Sequence, residues 1–125
     1  LFHGYTYSGH PAACAAGLAT LDIYEKEKLF ERGAGLSPYF LDAMYGLEDL
    51  PSITDVRGYG MLAGFDLKPG TAPGARGADV MKRLYEAGVY IKFTGDSGLV
   101  APPLIAGKKD VDTISETLRT VIGKG

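Results

Sequence analysis

Eighteen glycines are spread over this 125-residue chain, and they stand at the ends of patterned segments instead of gathering in a tract. A glycine inside a helix or strand costs roughly 0.5–1 kcal/mol relative to alanine, so this placement divides the chain into short elements joined by tight turns. A low-complexity linker is excluded as well, because 46% of the residues are hydrophobic. That content is enough for one core burying roughly two-thirds of the surface of the unfolded chain.

The segments between the glycines carry two periodicities. At 11–28, Ala12, Ala13, Ala15, Ala16, Leu18, Ala19, Leu21 and Ile23 predict a helix opened by Pro11, a residue suited to the first helical position. Its many small side chains predict close packing against a neighbour. At 36–47, Leu36, Tyr39, Phe40, Ala43, Met44 and Leu47 recur at spacings of three and four and define one buried stripe. Alternation at 53–57, the Gly58-Tyr59-Gly60 turn and the run 61–67 predict two strands. A helix is expected at 77–87 with Val80, Met81, Leu84 and Tyr85 inward, then a strand at 89–93, a turn over 95–98 and a short strand at 99–101 stopped by Pro102 and Pro103. Val111, Ile114, Leu118, Val121 and Ile122 carry a last helix. The sequence therefore reads as an α+β fold, a small antiparallel sheet with helices packed on one face.

The first eleven residues combine Gly4, Thr6, Ser8 and Gly9 with a helix start, a plausible seat for a phosphate. Cys14, the one cysteine, reads as a small buried thiol; without a second cysteine there is no internal disulfide, which fits a cytoplasmic location. His3 and His10 have no ligand-spaced partners, so no metal site is expected, and each is read as a loop histidine that packs or bonds with its neighbours. The glycines at 58 and 60 lead into a strand-like run, not a helix, which argues against a dinucleotide fingerprint. With a net charge of −2, no basic stripe and no apolar run of about 20 residues, neither nucleic acid nor a membrane is an expected partner. Lys92 stands out, a cation in an otherwise apolar strand just ahead of a turn. It suits either a carboxylate in a cleft or plain snorkelling at a strand end.

The run HGYTYSGHPAACAAGLATLDIYE at 3–25 resembles class III pyridoxal-phosphate aminotransferases of fold type I, and within them the beta-alanine:pyruvate (omega-amino acid:pyruvate) branch. The likeness continues in order through Val56-Arg57-Gly58-Tyr59-Gly60-Met61-Leu62, Pro73-Gly74-Ala75-Arg76-Gly77, Thr94-Gly95-Asp96 and Pro102-Pro103-Leu104-Ile105. The resemblance implies that residues 1–28 close the large cofactor domain and that 29–125 form the C-terminal small domain. It implies that Thr6 hydrogen-bonds the phosphate of pyridoxal 5'-phosphate bound in a partner subunit, within a homodimer or dimer-based tetramer. It also implies that Lys92, where that branch has an arginine, takes the substrate carboxylate as a point charge in place of a two-pronged donor.

In the resembled family the lysine that forms a Schiff base with the cofactor, the acidic partner of the pyridine nitrogen and the ring-stacking aromatic all precede the first motif. Lys26 and Lys28 follow it and do not match the catalytic lysine. No catalytic residue is therefore assigned, and the chain alone is expected to be inactive, a fragment of an enzyme moving an amino group from an omega-amino acid or amine to pyruvate. Two other classes stay open on the residues alone, a free-standing module binding a small carboxylate or phosphate, and a pseudoenzyme. The alanine-rich first helix, left bare, is expected to drive self-association.

Overall fold

The computed structural model describes residues 4–124. They run as α1 (Pro11–Lys26), α2 (Leu29–Tyr45), β1 (Ile53–Tyr59), β2 (Leu62–Leu67), α3 (Ala75–Glu86), β3 (Lys92–Thr94), β4 (Ser97–Val100) and α4 (Lys108–Gly123), with a 3-10 turn at Gly46–Asp49. The strands form one antiparallel sheet in the order β1-β2-β4-β3. This is the α+β architecture expected from the sequence.

Two hairpins build the sheet, each with a two-residue turn closed by Tyr59 opposite Leu62 or Thr94 opposite Ser97. Gly60 and Gly95 hold the first turn position at φ of 59° and 60°, where an L side chain would be strained and where two-residue turns matching strand twist place glycine. The expected turns were wider: Tyr59, Ser97 and Gly98 belong to strands.

α2, α3 and α4 cover one face of the sheet. Phe40, Met44 and Leu47 from the predicted stripe meet Val80 and Leu84 of α3 and Val111, Leu118 and Ile122 of α4 over Val56, Phe65 and Val100 of the strands. Of the residues expected inward on α3, Tyr85 is instead exposed, edge-on to Tyr90 with centroids 6.3 Å apart. Strict alternation along β1 would put Ile53 on the same face as Asp55 and Arg57. A register shift between Ile53 and Asp55 inserts one extra residue, so Ile53 and Val56 are both buried.

Three elements depart from their expected limits for identifiable reasons. α2 begins seven residues earlier than the stripe suggests, directly after Lys28, whose left-handed φ of 50° breaks the chain between α1 and α2. Gly33 leaves room there for Leu104, whose Cδ2 would lie 2.8 Å from an added Cβ. The strand expected at 89–93 pairs only from Lys92 onward, opposite Leu99; its partner β4 ends one residue further on, at Val100. Val89 and Ile91 still enter the core as unpaired extended chain. On α1 none of the residues is buried, and Leu18 and Leu21 are 66% and 63% exposed, so the close packing expected of its small side chains is not made among the described residues. It touches α2 through the edge-to-face pair Tyr24–Phe30 at 5.3 Å.

α3 lacks a capping side chain of its own, since its N-cap is Gly74. Asp96, from the β3–β4 turn, supplies the cap: its Oδ1 accepts from Gly77 N–H at 2.8 Å and its Oδ2 from Gly74 N–H at 3.2 Å. No helix among the described residues is long and apolar enough to cross a membrane.

Candidate functional site

The sheet face turned away from the helices carries the chain's concentrated polar chemistry. Side chains alternate along each strand, so the register places whole cross-strand rows on that face. One row runs Arg57, Gly64, Leu99, Lys92; the next runs Asp55, Asp66, Ser97, Thr94. With strands about 4.8 Å apart, the backbones of Arg57 and Lys92 lie about 14 Å from each other across three strand spacings.

Between those two cations the face treats charge differently. Arg57 is fully engaged: Nη1 donates to Asp66 Oδ2 at 2.8 Å and to Asp55 Oδ2 at 2.5 Å, and Nη2 donates to Asp66 Oδ1 at 3.1 Å. Ser97 Oγ adds a 2.5 Å hydrogen bond to Asp66 Oδ1. The guanidinium of Arg57, then the hydroxyl of Ser97, hold the Asp66 carboxyl below the usual carboxylate range. Hydrogen bonds from Arg57 to Asp66 and then to Asp55 push the Arg57 guanidinium further up. Arg57 is thus neutralised in place by a two-pronged and a one-pronged contact.

Lys92 has no carboxylate partner among the described residues. It is exposed and opens onto a shallow cavity of about 370 Å³ that Arg57, Tyr59, Leu62, Gly64 and Leu99 also line. Gly64 has no side chain to fill the middle of the row, and Leu62 and Leu99 give the cavity apolar flanks. An ammonium at one end of a partly apolar trough suits a small molecule with an anionic group and a carbon chain.

Thr6 lies in an exposed turn ahead of α1, and its hydroxyl has no hydrogen-bond partner among the described residues. The turn is held by Ser8 N–H to Tyr5 O at 3.0 Å and His10 N–H to Tyr7 O at 3.2 Å. His10 caps α1, its Nδ1 accepting from Ala13 N–H at 3.4 Å, which is the neighbour-bonding role expected of it. His3 lies outside the described residues. Cys14 is exposed on α1, contrary to its expected burial, because nothing among the described residues covers that helix. Sequence reasoning missed Asp66 and Ser97. Arg57 lies in a quoted motif, but which carboxylates face it depends on a register that crosses the irregularity in β1.

Residues 1–122 match the family described as Aminotransferase class-III, and the chain belongs to that family. It is 49% identical to an omega-aminotransferase of Caulobacter vibrioides over 125 residues, covering 99% of this chain and 28% of that protein. It is 34% identical to a beta-alanine–pyruvate aminotransferase of Pseudomonas aeruginosa, covering 93% of this chain and 26% of that protein. Among solved structures, the omega transaminase of Pseudomonas jessenii in complex with PMP aligns with a TM-score of 0.89 at 31% identity, over 98% of this chain and 28% of that one. The chain therefore spans little more than a quarter of the length of the relatives it matches. Its fold is that of the C-terminal domain of a fold-type I pyridoxal-phosphate enzyme.

Proposed function

We propose that the chain is the C-terminal portion of a pyridoxal-phosphate-dependent aminotransferase that moves an amino group from an omega-amino acid such as beta-alanine, or from an amine, to pyruvate. The observation that carries this reading is Lys92, the cation of the open sheet face left without a carboxylate partner while Arg57 is engaged by Asp55 and Asp66. In the resembled branch the matching position binds the substrate carboxylate.

On this reading residues 1–28 belong to the large cofactor domain and 29–125 to the small domain. The left-handed break at Lys28 and the exposure of α1 support that division. Thr6 donates its hydroxyl to the cofactor phosphate in the partner subunit of a homodimer or dimer-based tetramer. Its hydroxyl, without a hydrogen-bond partner among the described residues and in a loop leading to a helix start, fits one contact to a phosphate oxygen. When bound, pyridoxal phosphate supplies the carbon that carries the amino group between substrates and the ring that takes up electrons.

This chain's own part is binding and orientation. The Lys92 ammonium attracts the donor's carboxylate as a point charge and leaves its rotation free. Leu62 and Leu99 offer apolar contact to the donor's carbon chain. No residue of the 125 serves as the Schiff-base lysine, so the chain alone is inactive, and the whole enzyme works in the cytoplasm.

The test is amino transfer from beta-alanine to pyruvate by the full-length enzyme, read as alanine formed, beside the 125-residue chain with added cofactor. The full-length enzyme is expected to be active, the chain inactive, and Lys92→Ala to raise KM for beta-alanine by about tenfold or more, the scale of a lost bond to a charged group. A full-length enzyme inactive with every omega-amino donor refutes the reading. Saturable binding of beta-alanine by the 125-residue chain alone would instead identify a free-standing module.

A further inference from the structure

We propose that Asp96 is a positioning residue for carboxylate-bearing donors, acting through Lys92; the inference rests on the reading of Lys92 given above. Lys92 begins β3, a three-residue strand at the edge of the sheet, paired with β4 on one side only. A strand this short has few ladder bonds to fix its place. What holds it is the turn that follows.

Asp96 ties that turn in two directions. Its backbone carbonyl accepts from Leu67 N–H at 3.0 Å, at the end of β2. Its carboxylate bridges Gly74 N–H and Gly77 N–H, the two positions that an N-cap side chain and its reciprocal partner would normally serve. The α3 N-terminus, a ready anion site, is thus filled from within the fold and fastened to the segment that carries Lys92. The fit is close: an added Cβ on Gly77 would lie 2.0 Å from Gly95 O and 3.0 Å from the Phe93 ring. Phe93, the residue after Lys92, also packs edge-on against Phe65 with centroids 5.8 Å apart. Asp96 is not itself one of the residues lining the cavity, and its carboxylate is bonded to Gly74 and Gly77, away from Lys92. Its influence on substrate passes through the backbone of β3.

The experiment uses the full-length enzyme with its cofactor and reads discrimination, kcat/KM for beta-alanine divided by kcat/KM for an amine donor without a carboxylate. Asp96→Ala is expected to lower this ratio by about tenfold, through KM for beta-alanine, since small misplacements of a binding group carry losses of that order or larger. Asp96→Asn keeps an oxygen acceptor for one of the two N–H groups and is expected to recover part of the loss; it also serves if the alanine variant does not fold. Asp96→Ala combined with Lys92→Ala is expected to give a ratio no lower than Lys92→Ala alone. Equal losses with both donors would make Asp96 merely structural and overturn the proposal, as would additive losses in the double variant. Lys92→Ala read alone separates the two failures: if it leaves the ratio unchanged, the reading of Lys92 falls and the proposal with it. If it lowers the ratio while the Asp96 variants do not, only the proposal falls.

Discussion

Replacing Gly98 by alanine should destabilise the chain through a specific collision. Gly98 sits in β4 directly opposite Phe65 of β2 and Phe93 of β3, and the two rings meet edge-to-face across it with centroids 5.8 Å apart. An added Cβ would lie 2.4 Å from Phe65 Cζ and 2.8 and 2.9 Å from its two Cε atoms. The ring is 1% exposed and packed under three helices, so it has no open direction in which to move. Overpacking of this kind costs about 1–3 kcal/mol, and disturbing the aromatic pair adds about 0.5–1.5 kcal/mol. The expected loss is about 2–4 kcal/mol, a large part of the stability of a domain this size. Urea unfolding of the 125-residue chain followed by far-UV circular dichroism should show the midpoint lowered by about 1–3 M at an unchanged slope. Phe65→Leu shortens the obstructing ring, so Gly98→Ala/Phe65→Leu should be more stable than the sum of the single losses predicts by about 1 kcal/mol or more. A Gly98→Ala midpoint equal to the parent's, or strictly additive losses, would refute the argument.

Other measurements test different parts of the structure. Because the folded Asp66 carboxyl lies below its unfolded value, its contribution to stability is present above about pH 4 and is lost as pH falls through the folded value. The stability gap between the parent and Asp66→Asn in urea titrations should therefore close on acidification, and a gap constant from pH 7 to pH 2 would contradict the pairing. Tyr39 OH donates to Asp112 Oδ1 at 2.5 Å, and that bond raises the phenol above its usual range. Its contribution is present below about pH 10 and is lost as pH rises through the folded value, so Tyr39→Phe should lack that alkaline loss in the same titrations. Lys92→Arg should lower KM for beta-alanine by about threefold to tenfold by adding a second prong to the carboxylate contact; a raised KM would mean that the cavity has no space for the fork. Cys14 should react with a thiol reagent in the folded 125-residue chain without denaturant, and protection until unfolding would show that α1 is covered in solution.

Elements with a strong apolar period were legible because their burial is decided locally. Phe40 and Met44 on α2, Leu47 on the 3-10 turn after it, and Val111, Leu118 and Ile122 on α4 all lie inside, as their spacing requires. What escaped sequence reading was decided between elements. The start of α2 at Leu29 rests on one left-handed residue and on Gly33 making room for Leu104, far away in the chain. Val89 and Ile91 have the composition of strand residues and lie in the core, yet pairing with β4 stops at Lys92. Lys92 was visible as an oddly placed cation, but that it has no carboxylate partner among the described residues while Arg57 has two follows only from the register. Asp96 left a negative signal: a helix start at Gly74 with no capping side chain needs its acceptor from elsewhere.

The strand order also gives the Arg57 cluster a second consequence. β1 lies at the opposite edge from β3, and its seven residues are long enough to template pairing with another polypeptide. Its irregularity beside Ile53 and its charged pair Asp55 and Arg57, locked together, make that rim a poor match for an incoming flat strand. The same contacts that neutralise Arg57 beside the cavity thus guard the hairpin against fibre-like growth. Neutral replacements at both positions should convert a protected margin into a nucleus for aggregation.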